Sequence, residues 1–490
     1  MRRIGFLLLT LGLPLPAPAW TAPARAEDAP RTMVVTPHRL ATEAGEQILQ
    51  AGGSAVDAAI AVQMVLAVVA PQVSGIGGGG VLLHYDGATH AVTGWDGRET
   101  AAAATPDSRP DPEGALPATG GRAVGVPGAL QMLQAAYYVH GRLPWADLVA
   151  PAIHLATQGV PVSPALARTI RAHAPQLRQQ PATRALFFQP DGTPLAAGDR
   201  LANPALAQAL QAIAASGANG LLRGPIAAEI ATTVRGDANP GLVTTDDLAA
   251  YTARRRPPLC APYRERTVCS LGAPFSGGPA LLQALAMLRN LDLAALDPAD
   301  AGTTRLLVAA ERMAQAEAAR AATETGAAPP PDDLLARALP IGPRPGDRVA
   351  APVPYAEPGV SIVAIVDAQG DAVAVGSSLG APFGSGLMVQ GVLLNAAMAD
   401  FPIRKAAEPG KRPATPMAPG LVLDHDGQLL AVLGSSVPAA LLRSVVGVVD
   451  WRLAPAQILA QPAGARPAAP EATALIVLTP DGPAGGVSGD

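Results

Sequence analysis

The chain has 490 residues, 49% of them hydrophobic and only 15% charged, with a formal net charge of −4. That balance supports a large buried core, excludes general disorder, and leaves no electrostatic footprint for nucleic acid. Lys405 and Lys411 are the only lysines, and the surplus of arginine and alanine reads as genome composition rather than function. From the start of the chain, residues 1–26 read as a secretory signal peptide. Arg2 and Arg3 precede the apolar run Ile4–Leu15, and Ala24-Arg25-Ala26 offers a small-x-small cleavage site. Pro14, Pro16 and Pro18 argue against an uncleaved membrane anchor. The expected mature protein is exported, periplasmic or secreted, with no membrane attachment after cleavage: Ala55–Val69 is too short to span, carries Asp57 and reads as a buried helix. Leu40–Gln50 reads as a helix ended by Gly52-Gly53, and Ser54 with Asp57 as a capping box for the next helix, which stops at Pro71.

Ser74-Gly75-Ile76-Gly77-Gly78-Gly79-Gly80 is followed by the strand-like Val81–Tyr85. A phosphate cradle would need a helix there and a Lys-Ser/Thr pair, so no nucleotide is expected. Cys260 and Cys269 lie on the two arms of a hairpin turning near Tyr263–Arg266, in a chain bound for an oxidising compartment. They are expected to form a disulfide, the alternative being two small buried thiols. The seven histidines have neither H-E-x-x-H spacing nor cysteine partners, so no metal is expected. Ala327–Pro358 is Pro-rich and reads as a linker. Val360–Val366 and Ala372–Val375 flank the turn formers Asp367–Asp371, the pattern of a hairpin apolar on both faces and hence sandwiched between layers. Past Trp451, Ala454–Ala469 is low-complexity Ala/Pro and Ala472–Asp490 suggests a closing strand pair.

The hairpin carries a resemblance. With its Val366-Asp367, Gly370-Asp371 and Ala372–Val375 core, then Leu394-Asn395 and Asp400-Phe401, it resembles the start of the small subunit of the γ-glutamyltranspeptidases, which are N-terminal-nucleophile hydrolases. Met33–Val62, Ser74–Gly80 and Asp96–Thr100 are similar to the opening of the large subunit, and the likeness runs through Gly125–Gly128, His140–Trp145, Thr245–Leu248 and Ser276–Gly278 to Trp451. It implies an α+β fold, the four-layer αββα sandwich of N-terminal-nucleophile hydrolases. Residues 27–326 would correspond to the large subunit and 360–490 to the small one, intertwined in one unit, with 327–359 as the linker and a C-terminus shorter than is usual in the family. The family activity it implies is γ-glutamyl transfer or hydrolysis on substrates of the glutathione class, without a cofactor. A γ-glutamyl compound or amino acid is the implied ligand.

The same resemblance singles out the positions that decide function. Family precursors cut themselves just before a Thr, whose hydroxyl then attacks while its freed amine serves as base. Val360 stands where that Thr belongs, and valine has no nucleophile. Ser361 is the candidate substitute, yet on a strand it should point to the opposite face unless a bulge shifts the register. Arg98 matches the arginine that clamps the substrate α-carboxylate, Asp400 the aspartate that meets its α-ammonium, Thr415 one of two substrate-binding hydroxyls, and Ser378 the hydroxyl that supports the nucleophile. Gly380, Ala397 and Pro416 replace polar contacts, and Val437-Pro438 replaces the Gly-Gly pair of the oxyanion hole. Proline has no N–H to offer an oxyanion. The expectation is a family member with little or no activity, a pseudoenzyme whose Arg98 and Asp400 either keep a ligand or pair with each other. The alternative is an active γ-glutamyl hydrolase or related amidohydrolase that self-processes and attacks through Ser361.

Overall fold

Val360–Val366 and Ala372–Ser378 form an antiparallel hairpin whose register runs unbroken from Val360 opposite Ser378 to Val366 opposite Ala372. The second strand continues three residues beyond the expected Val375, through the polar Gly376-Ser377-Ser378, because Gly79–Tyr85 pairs with it along its whole length. Asp367 closes the turn: its Oδ1 accepts hydrogen bonds from the N–H groups of Gln369 and Asp371, and Gly370 takes the positive φ of +82°. Here, in the computed structural model, residues 32–105, 118–324, 359–401, 408–461, 473–480 and 482–488 are described. The expected signal peptide and all of the expected linker except Gly359 lie outside the described residues.

This hairpin is central in a six-stranded sheet of order Met33–Val35, Val360–Val366, Ala372–Ser378, Gly79–Tyr85, Val92–Gly97, Arg254–Arg256. The second six-stranded sheet runs Gly482–Ser488, Thr473–Thr479, Leu429–Ser435, Ala418–Leu423, Arg266–Leu271, Pro258–Tyr263. Every pairing in both is antiparallel. Each sheet thus draws strands from both sides of residues 325–358. Strand alternation explains why the hairpin is apolar on both faces. Val360, Ile362, Ala364 and Val366 pack between the sheets against Leu421, Val432 and Ile476, whereas Val363, Ile365, Val373 and Val375 pack outward against helices.

Ala55–Val69 supplies much of that outer helical layer, and all of its residues are buried. The capping box forms as expected: Ser54 accepts from the Asp57 N–H, and Asp57 accepts from the Ser54 N–H. On the far side Gly277–Leu288, Ala301–Glu324 and Pro438–Val449 cover the second sheet. The layers are therefore helix, sheet, sheet, helix. Cys260 and Cys269 face each other across the Pro258–Tyr263 and Arg266–Leu271 hairpin and are joined in a disulfide, with Cα atoms 4.0 Å apart. Thr473–Thr479 and Gly482–Ser488 form the closing pair. Pro455–Leu459, inside the stretch read as low-complexity, is a short helix, with Ile458 buried against Gly447 of the preceding helix.

Candidate functional site

Strand alternation separates Val360 from Ser361. Val360 belongs to the cluster between the sheets, with Ile362, Phe275 and Met417. Ser361 is fully buried on the opposite, helix-facing side, where its Oγ lies 2.8 Å from Ser377 Oγ. Ser377 in turn donates to Gln63 Oε1 at 2.8 Å, and Ser74 Oγ lies 3.1 Å from Ser377 Oγ. The Ser361 hydroxyl is thus part of a buried polar chain tying the hairpin to helix Ala55–Val69. Ser378, opposite Val360, accepts a hydrogen bond from the Gly380 N–H at 2.8 Å.

The glycine run before Gly79–Tyr85 owes its composition to close packing. A Cβ on Gly77 would lie 2.1 Å from the Leu393 carbonyl oxygen, and one on Gly78 equally close to that of Ser378. Asn395 fastens the same loop by donating to the carbonyls of Gly77 and Gly125, both at 2.9 Å. The loop is a wedge beneath the strand end rather than an open anion cradle.

Arg98 follows the end of strand Val92–Gly97 and is completely buried. Its Nη2 lies 2.6 Å from Asp400 Oδ2 and its Nη1 3.4 Å from Glu99 Oε2, while its carbonyl accepts the Tyr251 hydroxyl at 2.7 Å. The two charges expected to read opposite ends of an amino acid therefore meet each other. Asp400 comes from the short helical turn Ala397–Asp400, and its side chain stays 21% exposed, so the pair is open to solvent on the acid's side only. Beside it Asp96 takes Arg256 at 2.8 Å and Arg412 at 2.8 Å, and Arg412 also donates to the Thr252 carbonyl. Burial here pushes the Tyr251 hydroxyl well above the ordinary phenol range, so it stays a neutral donor.

Sequence reading gave no role to Asp96, Glu99, Tyr251, Arg256, Arg412 or Asn395. The acid-rich Asp96–Thr100 segment was the available signal, but the partners of Asp96 lie about 160 and 316 residues away.

Thr415 is buried in a parallel bridge to Phe275, and its Oγ1 accepts from the Met417 N–H. At the end of strand Leu429–Ser435, Val437 has an ordinary extended backbone, φ −119° and ψ 109°. Its N–H already donates to Ser435 Oγ at 3.0 Å, and Pro438, the first residue of the following helix, has no N–H. Among the described residues the one histidine-carboxylate group dense enough for a metal is Asp424, His425 and Asp426, in an exposed turn where Asp424 Oδ1 is taken up by the N–H groups of Asp426 and Gln428.

Two fully antiparallel sheets between helical layers, with an apolar-faced hairpin ending at a buried Arg-carboxylate cluster, define a protein of the N-terminal-nucleophile hydrolase fold. Residues 41–475 match the γ-glutamyltranspeptidase family model, and the chain belongs to that family. It is 32% identical over 470 residues to the glutathione hydrolase proenzyme of Escherichia coli, covering 88% of this chain and 80% of that one. Among solved structures, the cephalosporin acylase from Bacillus halodurans shares the fold at a TM-score of 0.81 and 24% identity, over 97% of this chain and 98% of that one. The γ-glutamyltranspeptidase of Helicobacter pylori aligns at a TM-score of 0.59 and 28% identity, over 65% of this chain and 95% of the other.

Proposed function

We propose that this chain is a non-catalytic γ-glutamyltranspeptidase family member. In this reading it is exported by removal of residues 1–26, and parts 27–326 and 360–490 stay joined through 327–359. The observation that carries the reading is the pair Val360 and Ser361. The residue facing the inter-sheet layer has no hydroxyl, and the neighbouring hydroxyl points to the opposite side, bonded to Ser377. The E. coli relative is named a proenzyme. Here Val360 has no hydroxyl for the N-to-O shift that cuts such a precursor, and the Ser361 hydroxyl is turned away and held by Ser377. The Val437 N–H spent on Ser435, and the N–H lacking at Pro438, would leave an oxyanion unsupported as well.

What remains is a weak amino-acid site. A γ-glutamyl compound would have to part the 2.6 Å Arg98–Asp400 pair, placing its α-carboxylate on Arg98 and its α-ammonium on Asp400. Ser378 and Thr415 supply the hydroxyls. Gly380, Ala397 and Pro416 offer a ligand no polar side chain, and each such absence weakens binding by about 0.5–1.5 kcal/mol, so glutamate or glutathione should bind at roughly millimolar Kd. Intact-mass measurement of the protein purified from the exporting host tests the reading. The expected result is one chain beginning near Glu27. A small fragment beginning at Val360 or Ser361 would overturn it and favour the Ser361 hydrolase.

A further inference from the structure

Helix Ala129–His140 lies along strand Gly79–Tyr85 on the outer face of the site-bearing sheet. At its first turn the N–H groups of Gly128 and Ala129 both donate to the Gly78 carbonyl, and Met132 packs on Gly80 and Gly97. At its other end, about 18 Å away, His140 stacks on His84, with ring centroids 3.7 Å apart and planes 27° from parallel. His84 is 1% exposed and projects from the strand toward the helix. His84 Nδ1 and His140 Nε2 are buried with no hydrogen-bond partner among the described residues. We infer that this stacked imidazole pair is an acid-operated latch, holding the helix end on the strand while both rings are neutral and releasing it when either gains a proton.

Burial of the pair outweighs the nearby carboxylates that would stabilise an imidazolium. Besides each other, the charged groups facing the pair are Asp86, Asp371, Arg142 and Arg255, two of each sign. All four have other partners. Asp86 Oδ1 accepts from the N–H groups of Ala88 and Thr89, Asp371 takes Arg142 and the Gly87 N–H, and Arg255 bonds Thr93. No carboxylate forms an ion pair with either ring among the described residues. Burial, reinforced by the neighbouring ring, pushes the His84 imidazole down to about 3, and burial lowers His140 as well.

Because the docked pKa lies below the ordinary value of about 6.5, the undocked form binds more protons between the two values, and docking weakens as pH falls from about 6.5 toward 3. Release would also loosen the Gly141–Leu143 segment. Its Arg142 grips Asp367 and Asp371 in the turn of the central hairpin, and the N–H groups of Arg142 and Leu143 bond Asp57. The latch thus couples an acid signal to the hairpin that begins at Val360.

Hydrogen-exchange mass spectrometry of the full chain at pH 7.5 and 5.0, corrected for intrinsic rates, tests this. Protection of residues 129–140 should fall about thirtyfold through His84 alone, while helix Gly277–Leu288 on the far sheet changes less than about threefold. His84→Phe, which keeps a stacked ring and leaves His140 as the one titrating member of the pair, should show a clearly smaller pH response in residues 129–140 than the wild-type protein. No selective loss in the wild-type protein, or the same loss in His84→Phe, would overturn the inference. Should that variant fail to fold, imidazole NMR titration of the wild-type chain decides: a His84 midpoint below about 4 upholds the latch, and one near the ordinary 6.5 removes it.

Discussion

Installing a hydroxyl at Val360, where the proposed function puts the lost nucleophile, is the sharpest perturbation. Val360→Thr is nearly isosteric, and its main structural cost is a hydroxyl placed among Ile362, Phe275 and Met417, about 1–3 kcal/mol where it finds no partner. The variant should fold yet neither cut itself nor release anilide from a γ-glutamyl anilide. The reason lies at the end of strand Leu429–Ser435 in the other sheet. Val437 N–H donates to Ser435 Oγ at 3.0 Å and Pro438 has no N–H, so under the proposed function neither position offers an oxyanion a free donor. One such donor is worth about 10²–10³ in rate, and losing two leaves Val360→Thr slower by roughly 10⁴–10⁶ than a protein that has both. The triple variant Val360→Thr, Val437→Gly, Pro438→Gly is the comparison. Replacing Pro438 at the first position of helix Pro438–Val449 removes a preorganised start and costs about 1 kcal/mol. Self-cleavage is read on a denaturing gel and turnover by released anilide. If Val360→Thr alone self-cleaves and turns over within about tenfold of the triple variant, the reading of Val437 and Pro438 is wrong.

Arg98→Ala should leave Glu99 and Asp400 facing each other in a buried site and cost about 3–5 kcal/mol in urea unfolding. Asp400→Asn, at the partly exposed end, should cost less and weaken glutamate binding by calorimetry. Reducing Cys260–Cys269, or replacing both by Ser, should lower stability by about 2–3 kcal/mol for a loop this short. The check is thermal unfolding with and without reductant, and an unchanged Tm would refute it. Burial raises the carboxyl of Glu311, on helix Ala301–Glu324, to about 7. A raised folded pKa means that its protonated form is favoured by folding, so its stabilisation is complete below about 4.5 and is lost as pH rises through 7. Glu311→Gln should therefore flatten the fall in stability between pH 5 and 7.5. An unchanged slope would contradict this.

Periodicity and turn chemistry alone determined the hairpin Val360–Val366 and Ala372–Val375, the Ser54–Asp57 capping box and the Cys260–Cys269 facing pair, whereas pairing with Gly79–Tyr85 extended the second strand to Ser378. Each depends on residues close in sequence, where strand alternation, helix-end hydrogen bonding and a short turn leave few alternatives. The opposed directions of Val360 and Ser361 follow from the same local rule, provided that no bulge intervenes. Tertiary structure decided that none does, because the Ser361 hydroxyl meets Ser377, which Gln63 and Ser74 hold from about 300 residues away. It likewise decided that Arg98 pairs with Asp400, one of the two outcomes the sequence left open, and that Asp96 gathers Arg256 and Arg412. His84 and His140 gave no signal in the sequence, being 56 positions apart on elements of different period. An ion pair or a ring stack between distant segments depends on how the layers superimpose, and no local pattern of residues specifies that.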